Sequence, residues 1–387
     1  MKIIHCCFGN EHYLDTWGYQ QNTLPLYHAK LGHETIVIAS NDVFPKNAGN
    51  ELITSIKAKG DKYYNGPVRV IRCPSWNHNN VHLQKAKGLF SILKKEKPDI
   101  VFFHGSMNFS LSSCIRYRKR HPESSLFVDS HADTLNVNAN KCYRWLYFNF
   151  LWSFLHHYYQ KTVDKYFGVT IGRCLFLREY FHIKNNNVEL LPIGADVDTA
   201  NLITYDRIAL REHFGLNESD VVIVHGGKLD SRKGTADLIR VYRELKAKKY
   251  SNLRLVLFGK IIDERIPPLL DSDIIVHNWL SRVQVFELFK MADLAVWPVH
   301  HTTLIEDCVA SGLPYLIRKT TTTQHLINSD LFLQTLSATE LEEKIDRFIE
   351  DMDLHQYGAA LLKMKDEISY YSIAEKVVRY HYAIHHV

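Results

Sequence analysis

Two segments of the chain combine residue types that can hold a phosphorylated ligand. In Gly226-Gly227-Lys228-Leu229-Asp230-Ser231-Arg232-Lys233-Gly234, paired glycines precede Lys228, and Lys233 enters a helical pattern. Backbone amides, a helix N-terminus and two ammonium groups in one place suit an anion, most naturally a diphosphate. A solvated turn with basic residues at a helix start has the same composition. The second segment runs from Trp297-Pro298-Val299 through His300-His301-Thr302-Thr303 to Glu306-Asp307 and closes at Gly312-Leu313-Pro314. A carboxylate one turn into a helix can accept both hydroxyl protons of a ribose diol. The same acids would also complement the helix dipole. His104 and His131 each follow a short apolar run, where a ring can move a proton or simply cap a strand.

Other phosphate and metal devices are missing from the sequence. Neither the GxxxxGK[ST] loop nor the GxGxxG fingerprint occurs. Asp-x-Asp triplets at 196–198, 271–273 and 351–353 stand at turns, and 42 acidic residues make chance triplets ordinary. No metal and no other cofactor is expected.

These residues need elements to position them. Short apolar runs alternate with helical patterns: strands are expected at 2–8, 34–39, 67–72, 99–103, 126–130, 164–169 and 187–191, with helices at 18–31 and 81–95. Leu191-Pro192-Ile193-Gly194 interrupts the alternation. It restarts with strands at 220–225, 253–258, 273–276, 293–297 and 314–317, and helices at 234–249, 281–291 and 304–311. Such βαβ alternation makes an α/β protein with mainly parallel sheets. Two domains are expected, 1–200 and 205–366, followed by a helix at 369–387 that folds back over one of them. Ligands of open parallel sheets sit at the carboxyl ends of the strands, so a cleft between the domains is the expected site.

Composition narrows the partners. Lys and Arg number 47 against 42 for Asp and Glu, a surplus of +5 that suits local phosphate patches rather than a nucleic-acid partner. The seven cysteines form no CxxC and read as reduced, buried thiols of a cytoplasmic protein. No signal peptide and no membrane span are expected. The aromatic stretch 143–159 reads either as a core helix or as an interfacial helix with Trp and Tyr at lipid headgroups.

Gly227-Lys228-Leu229 with Lys233-Gly234, Ala292-Asp293…Pro298, and Asp307-Cys308-Val309-Ala310-Ser311-Gly312-Leu313-Pro314 resemble the retaining, nucleotide-sugar-dependent glycosyltransferases of group 1, surface-polysaccharide type. Their usual forms are G-R-L…K-G, A-D-x-x-x-x-P and E-A-M-A-x-G-x-P. Trp17-Gly18-Tyr19-Gln20 is similar to the family's glycine-rich start. The resemblance implies the GT-B fold, two Rossmann-like parallel-sheet domains facing across a cleft. It assigns Lys228 and Lys233 to the donor diphosphate, Lys228 replacing the usual Arg, and Asp307 to the ribose, with Glu306 the alternative. Gly18, His104, Gly227, His301, Thr302 and Thr303 would line the substrates, and His131 would lie beside the transferred sugar. Val299 stands where the family's first glutamate of E-x7-E would be.

The expected activity is transfer of a hexosyl unit from a UDP-linked sugar to a glycan hydroxyl, on a lipid-linked or free acceptor, at the inner membrane face. An epimerase or hydrolase on the same scaffold, or a catalytically silent sugar-nucleotide-binding subunit, are the rival readings.

Overall fold

Apolar runs with little alternation, such as residues 36–39, 100–103 and 222–224, cannot leave a face in water and therefore form strands covered on both sides. The computed structural model describes residues 1–15, 17–41, 49–77, 83–132, 140–327, 329–351 and 354–385. The chain divides into two units, Met1–Ile193 with Tyr370–Val387, and Gly194–Ser369.

The first unit is built on β1 (Lys2–Cys7), β2 (Glu34–Ser40), β3 (Lys62–Asn65) and β4 (Val68–Cys73), a short ribbon of β5 (Ser75–Trp76) and β6 (Lys85–Ala86), then β7 (Ile100–His104), β8 (Ser125–Ser130), β9 (Lys165–Gly168) and β10 (Val188–Leu190). Its main sheet has the order β10-β9-β8-β7-β1-β2-β4-β3. All pairings in it are parallel except β3 with β4. The helix Tyr370–His385 returns to this unit. Its Tyr370, Ile373, Ala374 and Val377 are buried together with Leu24, Tyr27 and Phe127. Positions i, i+3, i+4 and i+7 make one continuous apolar stripe.

The second unit carries β11 (Val221–Leu229), β12 (Leu253–Ile261), β13 (Ile274–His277), β14 (Leu294–Trp297), β15 (Tyr315–Arg318) and β16 (Phe332–Leu333). The order is β13-β12-β11-β14-β15-β16, parallel throughout. In each sheet one central strand has its successors on opposite sides: β1 between β7 and β2, β11 between β14 and β12. Loops leaving such neighbouring strands diverge and open a crevice at the carboxyl edge.

Several elements differ from the sequence expectation. The helix expected at 81–95 is shorter, Leu89–Glu96, and opens after Gly88, which is left-handed at φ 73°. Residues 78–82 lie outside the described residues. β11 runs on to Leu229, so Gly226, Gly227 and Lys228 are strand residues paired with Phe258, Gly259 and Lys260 rather than a loop. The aromatic stretch is neither wholly core nor a regular helix. It winds as a π-helix over Trp145–Trp152 and an α-helix over Ser153–Tyr159. Phe148, Trp152 and His156 are buried, whereas Trp145, Leu146, Phe150, Phe154 and Tyr158 are each at least half exposed. All seven cysteines are free thiols, six buried and Cys142 exposed against expectation. No described helix is long and apolar enough to cross a membrane.

Candidate functional site

In the second unit the switch point lies between the loops after β11 and β14. The first of these turns at Gly234, whose φ of 72° favours glycine. A Cβ there would meet Val299 Cγ2 at 2.7 Å and Pro298 Cγ at 2.9 Å, so glycine also lets the two loops touch. His225 braces the arrangement from below. Its Nδ1 bonds the Val296 carbonyl at 2.6 Å and its Nε2 the Thr235 hydroxyl at 2.8 Å. Burial lowers this ring's pKa to about 4, so it is a neutral strut.

Lys233 stands two residues before the helix Thr235–Lys248 and donates to the His301 carbonyl at 3.4 Å. Burial pushes its ammonium below the ordinary lysine range, partly offset by Asp230. Lys228 is exposed near the end of β11. His301 Nε2 bonds Glu306 Oε1 at 2.8 Å. Glu306 is fully buried, and its Oε2 has no hydrogen-bond partner among the described residues. Thr302 and Thr303, half-buried, lead into the helix Leu304–Ser311. Lys233, His301 and Glu306 therefore come together at the switch point.

Asp307 does not join them. Its two oxygens take both terminal nitrogens of Arg282, at 2.5 and 2.8 Å, and the same guanidinium reaches Asp196 at 3.1 Å. One residue further along the helix, the side chain turns to the helix Arg282–Met291 instead of the loop. Arg282 gave no signal in the sequence, because a lone arginine at a helix start reads as ordinary solvation. Acids of the first two Asp-x-Asp triplets are likewise paired within the protein. Asp196 caps Thr199, Asp271 pairs with Arg243 and Asp273 with Lys246. Of the third triplet, Met352 and Asp353 lie outside the described residues.

The first unit gathers its own cluster at the ends of β1, β7 and β8. Asp129 is buried, with Oδ2 2.6 Å from His104 Nδ1 and Oδ1 accepting the Gly105 amide at 2.8 Å. His131 Nε2 lies 3.3 Å from that Oδ2 and is buried, while the rest of the side chain keeps 21% exposure. Glu11 packs on Gly105, where a Cβ would come within 2.5 Å of its Oε2. Burial raises the Glu11 carboxyl to about 7 against the pull of His131. Burial works against charge on His131, but Asp129 and Glu11 outweigh it and hold the ring above its ordinary pKa. Despite burial, His104 and His131 keep Asp129 far below the usual carboxylate range. Glu11 and Asp129 were not among the expected site residues; Glu11 follows the end of β1 by four residues and Asp129 is the penultimate residue of β8, two before His131, which was the available signal. Gly18 is exposed two residues ahead of the helix Gln20–Lys30.

His104, Asp129 and His131 bring ligating atoms within 4.8 Å of one another. Both His104 nitrogens are engaged within the protein, Nδ1 with Asp129 and Nε2 with His5, at 2.6 and 2.9 Å.

Two parallel-sheet units, each with a switch point, define the GT-B architecture, and the chain has that fold. It matches a glycosyltransferase from Rickettsia africae with a TM-score of 0.72 and 17% identity, covering 99% of this chain and 98% of that one. Anabaena HepE in complex with UDP matches at 0.68 and 13%, covering 98% and 99%. Residues 206–360 match the family model of the glycosyl transferases group 1. The second unit thus belongs to the group 1 glycosyltransferases. A processive diacylglycerol alpha-glucosyltransferase of Acholeplasma laidlawii is 22% identical over 220 residues, 52% of this chain and 61% of that protein. The chain spans about three fifths of that relative's length.

Proposed function

We propose that the chain transfers a hexosyl unit from a UDP-linked sugar to a hydroxyl of a glycan, with retention of configuration. The observation that carries this reading is the buried, half-partnered Glu306 beside His301 and Lys233 at the switch point of a group 1 domain. Such a carboxylate can accept ribose hydroxyls while the lysine and the start of the next helix meet the diphosphate. Glu306, rather than Asp307, is the ribose ligand in this reading. As the sugar leaves, charge builds on the diphosphate, and Lys233, Lys228 and the loop amides stabilise it. The acceptor hydroxyl can approach the same face and pass its proton to the departing phosphate, so no separate base is required. In the first unit, His131 is the residue we assign to a substrate sugar.

UDP in HepE supports the choice of nucleotide, and the diacylglycerol named in the Acholeplasma relative supports a lipid-linked acceptor, which we place at the inner membrane face. Surface polysaccharide is the product class we assign. Because lysines and amides meet the phosphate charge, transfer should proceed unchanged in a strong chelator. Rescue of a chelated enzyme by Mn²⁺ or Mg²⁺ would refute that.

The deciding experiment is a thermal-shift panel of UDP-, GDP- and dTDP-sugars with wild type and Glu306→Gln, because a ligand at a hundred times its Kd stabilises by about 2.7 kcal/mol. UDP-sugars should raise the melting temperature of wild type alone. No shift with any nucleotide sugar would end the reading. Release of free sugar or an epimer without an acceptor would favour the hydrolase or epimerase.

A further inference from the structure

Behind His131 the first unit buries a row of imidazoles that the transfer reaction does not call on. His28 Nδ1 lies 2.9 Å from His5 Nε2, and His5 Nδ1 lies 2.9 Å from His104 Nε2. One end of the row is Asp129, 2.6 Å from His104 Nδ1; the other is the Ala374 carbonyl, 3.2 Å from His28 Nε2. His5, His28, His104 and Asp129 are all fully buried, so water cannot complete any of these contacts. The row passes through β1, the helix Gln20–Lys30, β7, β8 and the C-terminal helix.

Proton counting defines its state. There are four contacts, Asp129–His104, His104–His5, His5–His28 and His28–Ala374, and each needs one hydrogen. Both ends are acceptors when Asp129 is ionised. Three neutral imidazoles bring one N–H each and leave one contact with two lone pairs facing. A fourth proton closes the row completely. It belongs on His104, where an imidazolium meets the Asp129 carboxylate, while His5 and His28 are driven neutral by burial. A buried polar contact left open costs about 1–3 kcal/mol, so closure is favoured.

We propose that His5 and His28 are positioning residues: with His104 they form a proton-closed row, tied to the Ala374 carbonyl, that neutralises Asp129 and leaves His131 turned to the substrate. This rests on the sugar-transfer reading for what His131 does. Two rings compete for Asp129 Oδ2, His104 at 2.6 Å and His131 at 3.3 Å. While His104 carries the extra proton, Asp129 is balanced. When that proton leaves, the full carboxylate charge faces His131 Nε2, which is buried against it, and draws the ring inward, away from the substrate. The other titratable groups facing the row are His33 beside His28, Cys7, Glu11 and His131 beside Asp129, and Arg173 beyond Glu11 and His131. Activity should therefore fall on the alkaline side as the row loses its proton.

His28→Phe changes the count. Two rings, His104 and His5, then serve two contacts, and no extra proton is needed. The test uses the full-length protein labelled with ring-¹⁵N histidine, with His104 resonances assigned by their loss in His104→Gln. At neutral pH His104 should be doubly protonated in wild type and singly protonated in His28→Phe. The variant's kcat should fall about tenfold with donor KM unchanged, and its pH profile should lose the alkaline limb. A singly protonated His104 in wild type overturns the proposal. So does a His28→Phe enzyme with the wild-type pH profile and kcat. If His28→Phe does not fold, the wild-type ring measurement decides alone. It needs no sugar donor, so its outcome stays separate from the fate of the transfer reading.

Discussion

Lys233 and Glu306 are where single atoms should matter most. A hydrogen bond to a charged group contributes roughly 1.5–3 kcal/mol, so Lys233→Ala should cost about ten- to a hundred-fold, mostly in kcat because phosphate charge grows in the transition state. Lys228→Arg should keep wild-type kinetics, since it retains the charge and adds a fork. Glu306→Gln and Asp307→Ala should separate by kind. The first should weaken donor binding with little change in melting temperature. The second should leave Arg282 with Asp196 alone and lower stability by roughly 2 kcal/mol, less than a fully buried pair because Arg282 keeps some exposure. Steady-state kinetics and urea unfolding on the variants check both halves. Glu11 gives a pH signature. Its carboxyl is raised from 4.5 to about 7 by burial, so the folded state holds a proton that the unfolded chain releases. Stability contributed by that proton is full below about pH 4.5 and is lost as pH rises through 7. Glu11→Gln should therefore melt higher than wild type at pH 8 and close to it at pH 5, and equal melting at both would show the group is not buried in charge terms.

At the scale of elements, the segment from Trp145 to Tyr159 has two characters. Phe148 and Trp152 anchor it in the first core, while Trp145, Phe150, Phe154 and Tyr158 face outward at 58, 62, 57 and 50% exposure. Large apolar side chains gain about 1.5–3 kcal/mol each on full burial, and Lys161 at its end is exposed. We expect this face to dip into anionic bilayers. Flotation with phosphatidylserine vesicles should recover the wild type, and Trp145→Ser with Phe150→Ser should reduce recovery by tenfold or more. Equal recovery with and without vesicles would count against the membrane role. The sequence could not divide this segment into faces. Its residues are apolar nearly all round, and a π-helix shifts the side-chain period away from the 3.6 that helical patterns assume.

Each unit has its own cores, so the whole molecule should unfold in two calorimetric transitions, of which UDP, lacking the sugar, raises only that of residues 194–369. A single transition, or both rising together, would contradict separate units. How far the chain could be read without its structure follows from what each signal depends on. The α/β class and the central strands were legible because burial on both faces forces continuous apolar runs, and a run is local. So were Lys233 and the loop after β14, where glycine, proline and charge lie close in sequence. β3, the ribbon β5–β6 and β16 were not, being short edge pieces held by a neighbour rather than by their own pattern. Neighbouring acids in one helix could not be told apart either. Glu306 and Asp307 differ only in which way a 100° step points them, toward His301 or toward Arg282, and that depends on elements 5 and 25 residues away. The imidazole row lies furthest from the sequence. His5, His28, His104 and Ala374 have no spacing in common, and only the stacking of β1 between β7 and its helices brings their nitrogens to hydrogen-bond distance. Local order is written in neighbouring residues, whereas charge and proton balance belong to contacts that only the folded chain makes.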